Sequence, residues 1–131
     1  MNDDEKLFNL SISIMFVMAI VTAFVLFCST AEASTERGYQ DRWCTMGETE
    51  VVLEDRTRVD CMTDDFAIEF GFAKSWQQDI GQALHYGIQT NRRGGVVMIL
   101  EKPTDIKYWK QMQDIIWFYK LPLNTWMIKG Y

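Results

Sequence analysis

The chain has 131 residues, 48% of them hydrophobic and 24% charged, with a formal net charge of −5. That length gives room for one domain rather than two, and the acidic balance excludes a nucleic-acid binder that works through an overall basic surface. One histidine, three cysteines and no C-x-x-C leave a zinc site almost without ligands.

Leu7 to Thr30 contains no charged residue, and Ile14 to Cys28 is almost unbroken apolar sequence. A small soluble core cannot hold such a run without leaving an oversized apolar surface. Residues 1–33 therefore read as a signal peptide or a membrane anchor. Ala31-Glu32-Ala33 supplies the small-x-small pattern of a cleavage site. Against cleavage, MNDDEK is an acidic start, and the apolar run approaches the length that spans a bilayer. Lys6 on one flank and Arg37 and Arg42 on the other nearly balance the positive-inside count. Export with cleavage is the favoured expectation, and a single-pass anchor through residues 7–30 is the alternative. A lipid attached at Cys28 is disfavoured by Phe27, which stands where a small residue is usual.

Residues 34–131 carry twelve Lys/Arg against fourteen Asp/Glu, a net charge of −2. Ser34 to Met46 reads as a short helix ended near Gly47, and Glu50 to Glu54 as a strand closed by a tight turn at Asp55-Arg56. Thr57 to Met62 and Phe66 to Phe70 follow as the second and third strands. Alternation puts Val52, Val59, Cys61, Ile68 and Phe70 on one buried face and sends Asp60 and Glu69 to the other. That second face has to be a cleft, since uncovered it leaves Val51 and Leu53 bare.

Ser75 followed by Gln78 forms a capping box for a helix running to about Gln89. Trp76, Ile80, Ala83, Leu84 and Ile88 make its core stripe, and Gln78, Gln82 and Tyr86 a second one. Thr90 to Gly95 reads as a loop breaking at Gly94-Gly95, before Val96 to Leu100, an apolar run that suits a strand buried on both faces. Pro103 and Thr104 start another helix with Ile106, Trp109, Met112, Ile116 and Tyr119 inward. Pro122 ends it, and Leu123 to Ile128 is a last strand. The expected class is α/β: a small mixed sheet with an αβββαβ core, a further helix and strand, and a hydrophobic leader.

If Asp64 and Asp65 form a two-residue hairpin loop, Asp60 lies directly opposite Glu69, with Cβ atoms roughly 5 Å apart. Two carboxylates so placed repel each other unless a cation lies between them. With Val59-Asp60, Glu69, nearby Lys74 and the Gln82-Ala-Leu-His-Tyr86 run, the stretch from Arg58 to Tyr86 resembles the PD-(D/E)XK nuclease superfamily. Its RecB-like and Holliday-junction-resolvase-like branches are the nearest in pattern. The resemblance covers roughly Thr35 to the C-terminus. It departs from the family at Gly71, where a lysine belongs, and Lys74 is the candidate substitute.

The resemblance implies a metal-dependent nuclease acting on nucleic acid, DNA before RNA, as a monomer or a homodimer. Asp60, Glu69 and the Phe70 carbonyl would hold Mg²⁺ or Mn²⁺, which takes oxygen donors and keeps several waters. Lys74 would neutralise charge in the transition state, and Gln82, Tyr86 and Arg58 would meet the substrate.

Quieter readings stand beside each role. Asp60 could pair with Arg58 or Arg56, Glu69 with Lys74 as an exposed ion pair of small worth, and Gln82 and Tyr86 could edge an amphipathic helix. Cys44 and Cys61 are either a disulfide in an exported protein or two small buried hydrophobes. His85 has no serine or second histidine with which to form a hydrolase triad. Gly94-Gly95 lies between a helix and a strand, the reverse of a P-loop.

Overall fold

A computed structural model describes residues 35–131 together with Met15, Val17, Met18 and Ile20. Apart from those four residues, the expected leader and its cleavage site lie outside the described residues. Among the described residues no helix is long and apolar enough to cross a membrane.

Glu36–Tyr131 forms one unit. Its elements are α1 (Glu36–Trp43), β1 (Glu48–Val52), β2 (Arg58–Met62), β3 (Phe66–Phe72), α2 (Trp76–Thr90), β4 (Arg93–Leu100), α3 (Ile106–Tyr119) and β5 (Leu123–Lys129). The five strands lie in sheet order β1-β2-β3-β4-β5. The first three form an antiparallel meander, and β3, β4 and β5 run parallel. This is the α/β class and the element order the sequence predicts.

Helices cover both faces, so β4 can be apolar from Val96 to Leu100 and β3 buried from Ala67 to Gly71. On one face Ile68, Phe70, Val97 and Ile99 pack with Trp43 and Trp126. Cys44, just after α1, forms a disulfide with Cys61 of β2, their Cα atoms 5.9 Å apart. On the other face Val96, Met98 and Leu100 meet Trp76, Ile80 and Ala83 of α2 and Met112 of α3.

Several local expectations are corrected. Leu53 and Thr57 close the β1–β2 turn, with Leu53 N donating to the Thr57 carbonyl at 2.9 Å, and Arg56 takes a left-handed φ of 70°. The loop is thus three residues long, not two, and a one-residue change in register swaps the faces of a strand. Val52 accordingly pairs with Arg58 and is 66% exposed, while Val51 pairs with Val59. Val59 leaves the Cys61–Phe70 face and packs with Ala67 and Tyr86 instead.

Ser75 makes no capping bond; its hydroxyl faces the Phe72 carbonyl and Asp79. Ile88 is exposed at the far end of its stripe, as are Ile106 and Tyr119 on α3. The turn after α2 is made by Asn91, with φ 52°, and both glycines belong to β4. A Cβ on Gly94 would lie 2.5 Å from the Ala83 carbonyl, so glycine is there for close helix–strand approach.

Candidate functional site

The β2–β3 hairpin turns at Asp64-Asp65 as expected: Thr63 N donates to the Phe66 carbonyl at 2.9 Å, and Met62 pairs with Ala67 and Cys61 with Ile68. The next pair in this register is Asp60 with Glu69. The ladder stops there. Asp60 Oδ2 accepts the Phe70 amide at 2.8 Å, so a side chain takes the hydrogen bond that a main-chain carbonyl would otherwise accept. Amide and carbonyl of one strand residue face the same neighbour, which directs the Phe70 carbonyl toward β2 as well.

Glu69 is only 7% exposed, and its Oε2 has no hydrogen-bond partner. Burial pushes its carboxyl far above the usual range, with Asp60, Asp79 and Glu36 adding in the same direction. Burial also raises Asp60, against the pull of the Phe70 amide. Glu36 is raised by burial and by its neighbours Asp60 and Glu50. The charges that act most strongly on Glu69 are all negative.

Arg58 is the cation that lowers Asp60, as the smallest of the influences on it. Arg58 pairs with Glu50 at 2.7 Å, and Arg37 reaches the same carboxylate at 3.4 Å. Glu50, in a left-handed φ of 59°, occupies the β1 position between the pairs that flank Asp60. Lys74 lies exposed in the 3₁₀ turn Ala73–Ser75, and among the described residues no ion pair joins it to an acid. The structure thus gathers Asp60, Glu69 and Phe70 and leaves Lys74 outside. Arg58 is 61% exposed and tied to Glu50.

From α2, Gln82 Nε2 donates to Tyr86 Oη at 3.2 Å. Tyr86 is 3% exposed, and burial followed by the Glu69 charge raises its phenol. Both residues therefore line the acid group, whereas Gln78 is exposed. His85 lies against Asp55 in the β1–β2 turn. Asp55 is held down at about 2, first by hydrogen bonds from Thr57.

Asp79 was not among the expected residues. It is 3% exposed and pushed up to about 7 by burial, against the Ser75 hydroxyl, with Glu36 and Asp60 raising it further. Its spacing to Gln82 and Tyr86, three and seven residues, places it on one helical stripe with them. The stripe is readable in the sequence, but its buried first member is Asp79 rather than Gln78.

Surface clefts of about 330 and 400 Å³ border Thr45, Met46, Thr63 and Asp64, on the disulfide side of the hairpin. Neither is lined by Asp60 or Glu69. The acids, rather than those clefts, define the candidate site, because buried carboxylates with no ion pair, Glu69 and Asp79, demand a chemical explanation. Comparison with known proteins gives no match: no family model, no curated protein and no solved structure matches the chain.

Proposed function

We propose that the domain is a metal-dependent nuclease of the PD-(D/E)XK type, hydrolysing phosphodiester bonds of nucleic acid, DNA in the first instance. The observation that carries this reading is Asp60 and Glu69 side by side where the hairpin ladder opens, with Glu69 Oε2 buried and unpartnered. An oxygen-rich, negatively charged group of this kind fits a hard divalent cation. Asp60, Glu69 and the Phe70 carbonyl would hold Mg²⁺ or Mn²⁺. Such an ion, when bound, makes a water more acidic and draws charge from the non-bridging phosphate oxygens.

The chain's own groups do the rest. The Phe70 amide fixes Asp60, and Gln82 orients the Tyr86 hydroxyl beside Glu69. Arg58, at the exposed rim, meets a phosphate once it leaves Glu50. In the reaction the water oxygen bonds to phosphorus and the phosphorus–ester oxygen bond breaks. The water loses one proton and the leaving oxygen gains one.

Incubating the full chain with DNA and with RNA, with and without Mg²⁺ or Mn²⁺, tests the reading. Asp60→Asn and Glu69→Gln should each lower metal-stimulated cleavage by roughly a hundredfold or more. Cleavage undiminished in both variants sinks the assignment.

Gly71 in the lysine position and Lys74 on the exposed turn favour a second reading, a nuclease-like domain that binds without cutting. It predicts Mn²⁺ binding that depends on Glu69, with no cleavage of either nucleic acid. Residues 1–33 would bring either form to the cell envelope, as an exported protein or one anchored through residues 7–30. The intact mass from native cells tests that part: an N-terminus at Ser34 supports export with cleavage, and a retained Met1 overturns it.

A further inference from the structure

Side chains alternate along a strand, so Glu69 and Gly71 belong to the same face of β3. Backbone conformation does not call for glycine at 71, because among the described residues no glycine has a positive φ. Space does. A Cβ built on Gly71 would lie 2.1 Å from Asp79 Oδ2, 2.5 Å from Asp79 Cγ and 2.7 Å from Asp79 Oδ1. The whole Asp79 carboxyl group thus fills the volume into which a residue-71 side chain would project.

Asp79 is fixed there. Its Oδ2 lies 3.1 Å from Ser75 Oγ, which is also 2.9 Å from the Phe72 carbonyl. Helix α2 therefore brings a carboxyl group to the strand position two residues after Glu69. Positions i and i+2 of a strand are roughly 7 Å apart, a span that one hydrated cation can bridge. A second observation points to such an ion: Glu69, on the same face, is 7% exposed and its Oε2 is unpartnered.

We propose that Asp79 is the third carboxylate of the Asp60–Glu69 cation site, delivered from the helix in place of a side chain that Gly71 lacks. The inference rests on the metal-site reading above. Among the described residues no three-residue cage of His, Cys, Asp or Glu is gathered. Asp79 accordingly acts through the waters of the ion, as Mg²⁺ and Mn²⁺ sites with few direct carboxylates allow. The site then does not need a lysine: the cation itself neutralises the phosphate, and a third acid strengthens its hold.

The probe is Mn²⁺ alone, titrated into the full chain at fixed pH by calorimetry or paramagnetic resonance, with circular dichroism as the check on folding. Asp79→Ala should weaken Mn²⁺ binding by roughly 10- to 100-fold, the range for outer partners of a metal site. Asp79→Asn, which keeps the shape and removes the charge, should do the same. The double variant Gly71→Asp/Asp79→Ala moves the carboxylate from helix to strand, and it should recover affinity to within about threefold of the wild type.

Mn²⁺ binding by Asp79→Asn as tight as the wild type, with Glu69→Gln weakened, overturns this inference alone. A folded swap no tighter than Asp79→Ala overturns it too. Binding untouched by Asp60→Asn and Glu69→Gln brings down the metal-site reading itself.

Discussion

The two faces of β3 are made from alternate residues of one seven-residue strand, yet they are built on opposite principles. Ile68, Phe70 and Phe72 face α1, among Tyr39, Trp43 and Trp126, beside the disulfide. Trp43 meets both Phe70 and Trp126 edge to face, at 5.5 and 5.4 Å between ring centroids. Glu69 and Gly71 face α2, where Glu69 and Asp79 are buried and Asp60 half-buried, with no ion pair to any of them among the described residues. Apolar burial and aromatic packing stabilise the first face. Desolvated like charge destabilises the second. A small domain tolerates such a face only because the other side of the same strand holds it together.

The largest effect should come from the α1 face. Phe70→Ala leaves the backbone contact to Asp60 in place and should cost about 3–5 kcal/mol, read by urea unfolding. Its neighbour Glu69→Gln should leave stability without metal unchanged or higher. A loss in Glu69→Gln as large as that in Phe70→Ala would show that the two faces do not differ.

Reducing the Cys44–Cys61 bond, which spans 17 positions, should cost about 3 kcal/mol. The measurement is urea unfolding with and without a reductant, taking Cys44→Ala/Cys61→Ala as the reference that no longer responds.

A third contrast is the pH profile. Asp60, Glu69 and Asp79 all have carboxyls raised above their ordinary values. Their contribution to stability is complete below about pH 4, where the unfolded chain is also protonated. It is lost as the pH climbs through the folded-state values, about 7 for Asp79. The metal-free protein should therefore melt at a lower temperature at pH 8.5 than at pH 5, and Mn²⁺ should narrow the gap. A melting temperature that rises over that interval contradicts the desolvated-acid description.

Much of this was readable where local chemistry is explicit. Asp64-Asp65 as a two-residue loop fixed the β2–β3 register, and with it the meeting of Asp60 and Glu69. The β1–β2 register is hidden in the sequence because Arg56, not a glycine, adopts the left-handed conformation that lengthens the loop. Gly94-Gly95 looked like a chain break, but the contacts that exclude side chains there come from Ala83 and Trp126, far off in sequence. Position 71 was hidden for the same reason. Sequence marks the missing lysine, and only the packing of α2 on β3 shows whose carboxyl fills the space.

Phe70 joins the two faces through one residue: its ring is wedged against Trp43, while its amide fixes the Asp60 carboxylate. Cys61, the residue next to Asp60, is tethered to the end of the same helix. The position of Asp60 is thus referenced to α1 twice, through an edge-to-face ring contact and through a covalent tie. Any slippage of that helix is transmitted to the acid as misalignment, much as a worn bearing shifts the tool it carries. The tolerance of the chemistry on one side is set by the mechanics of the other.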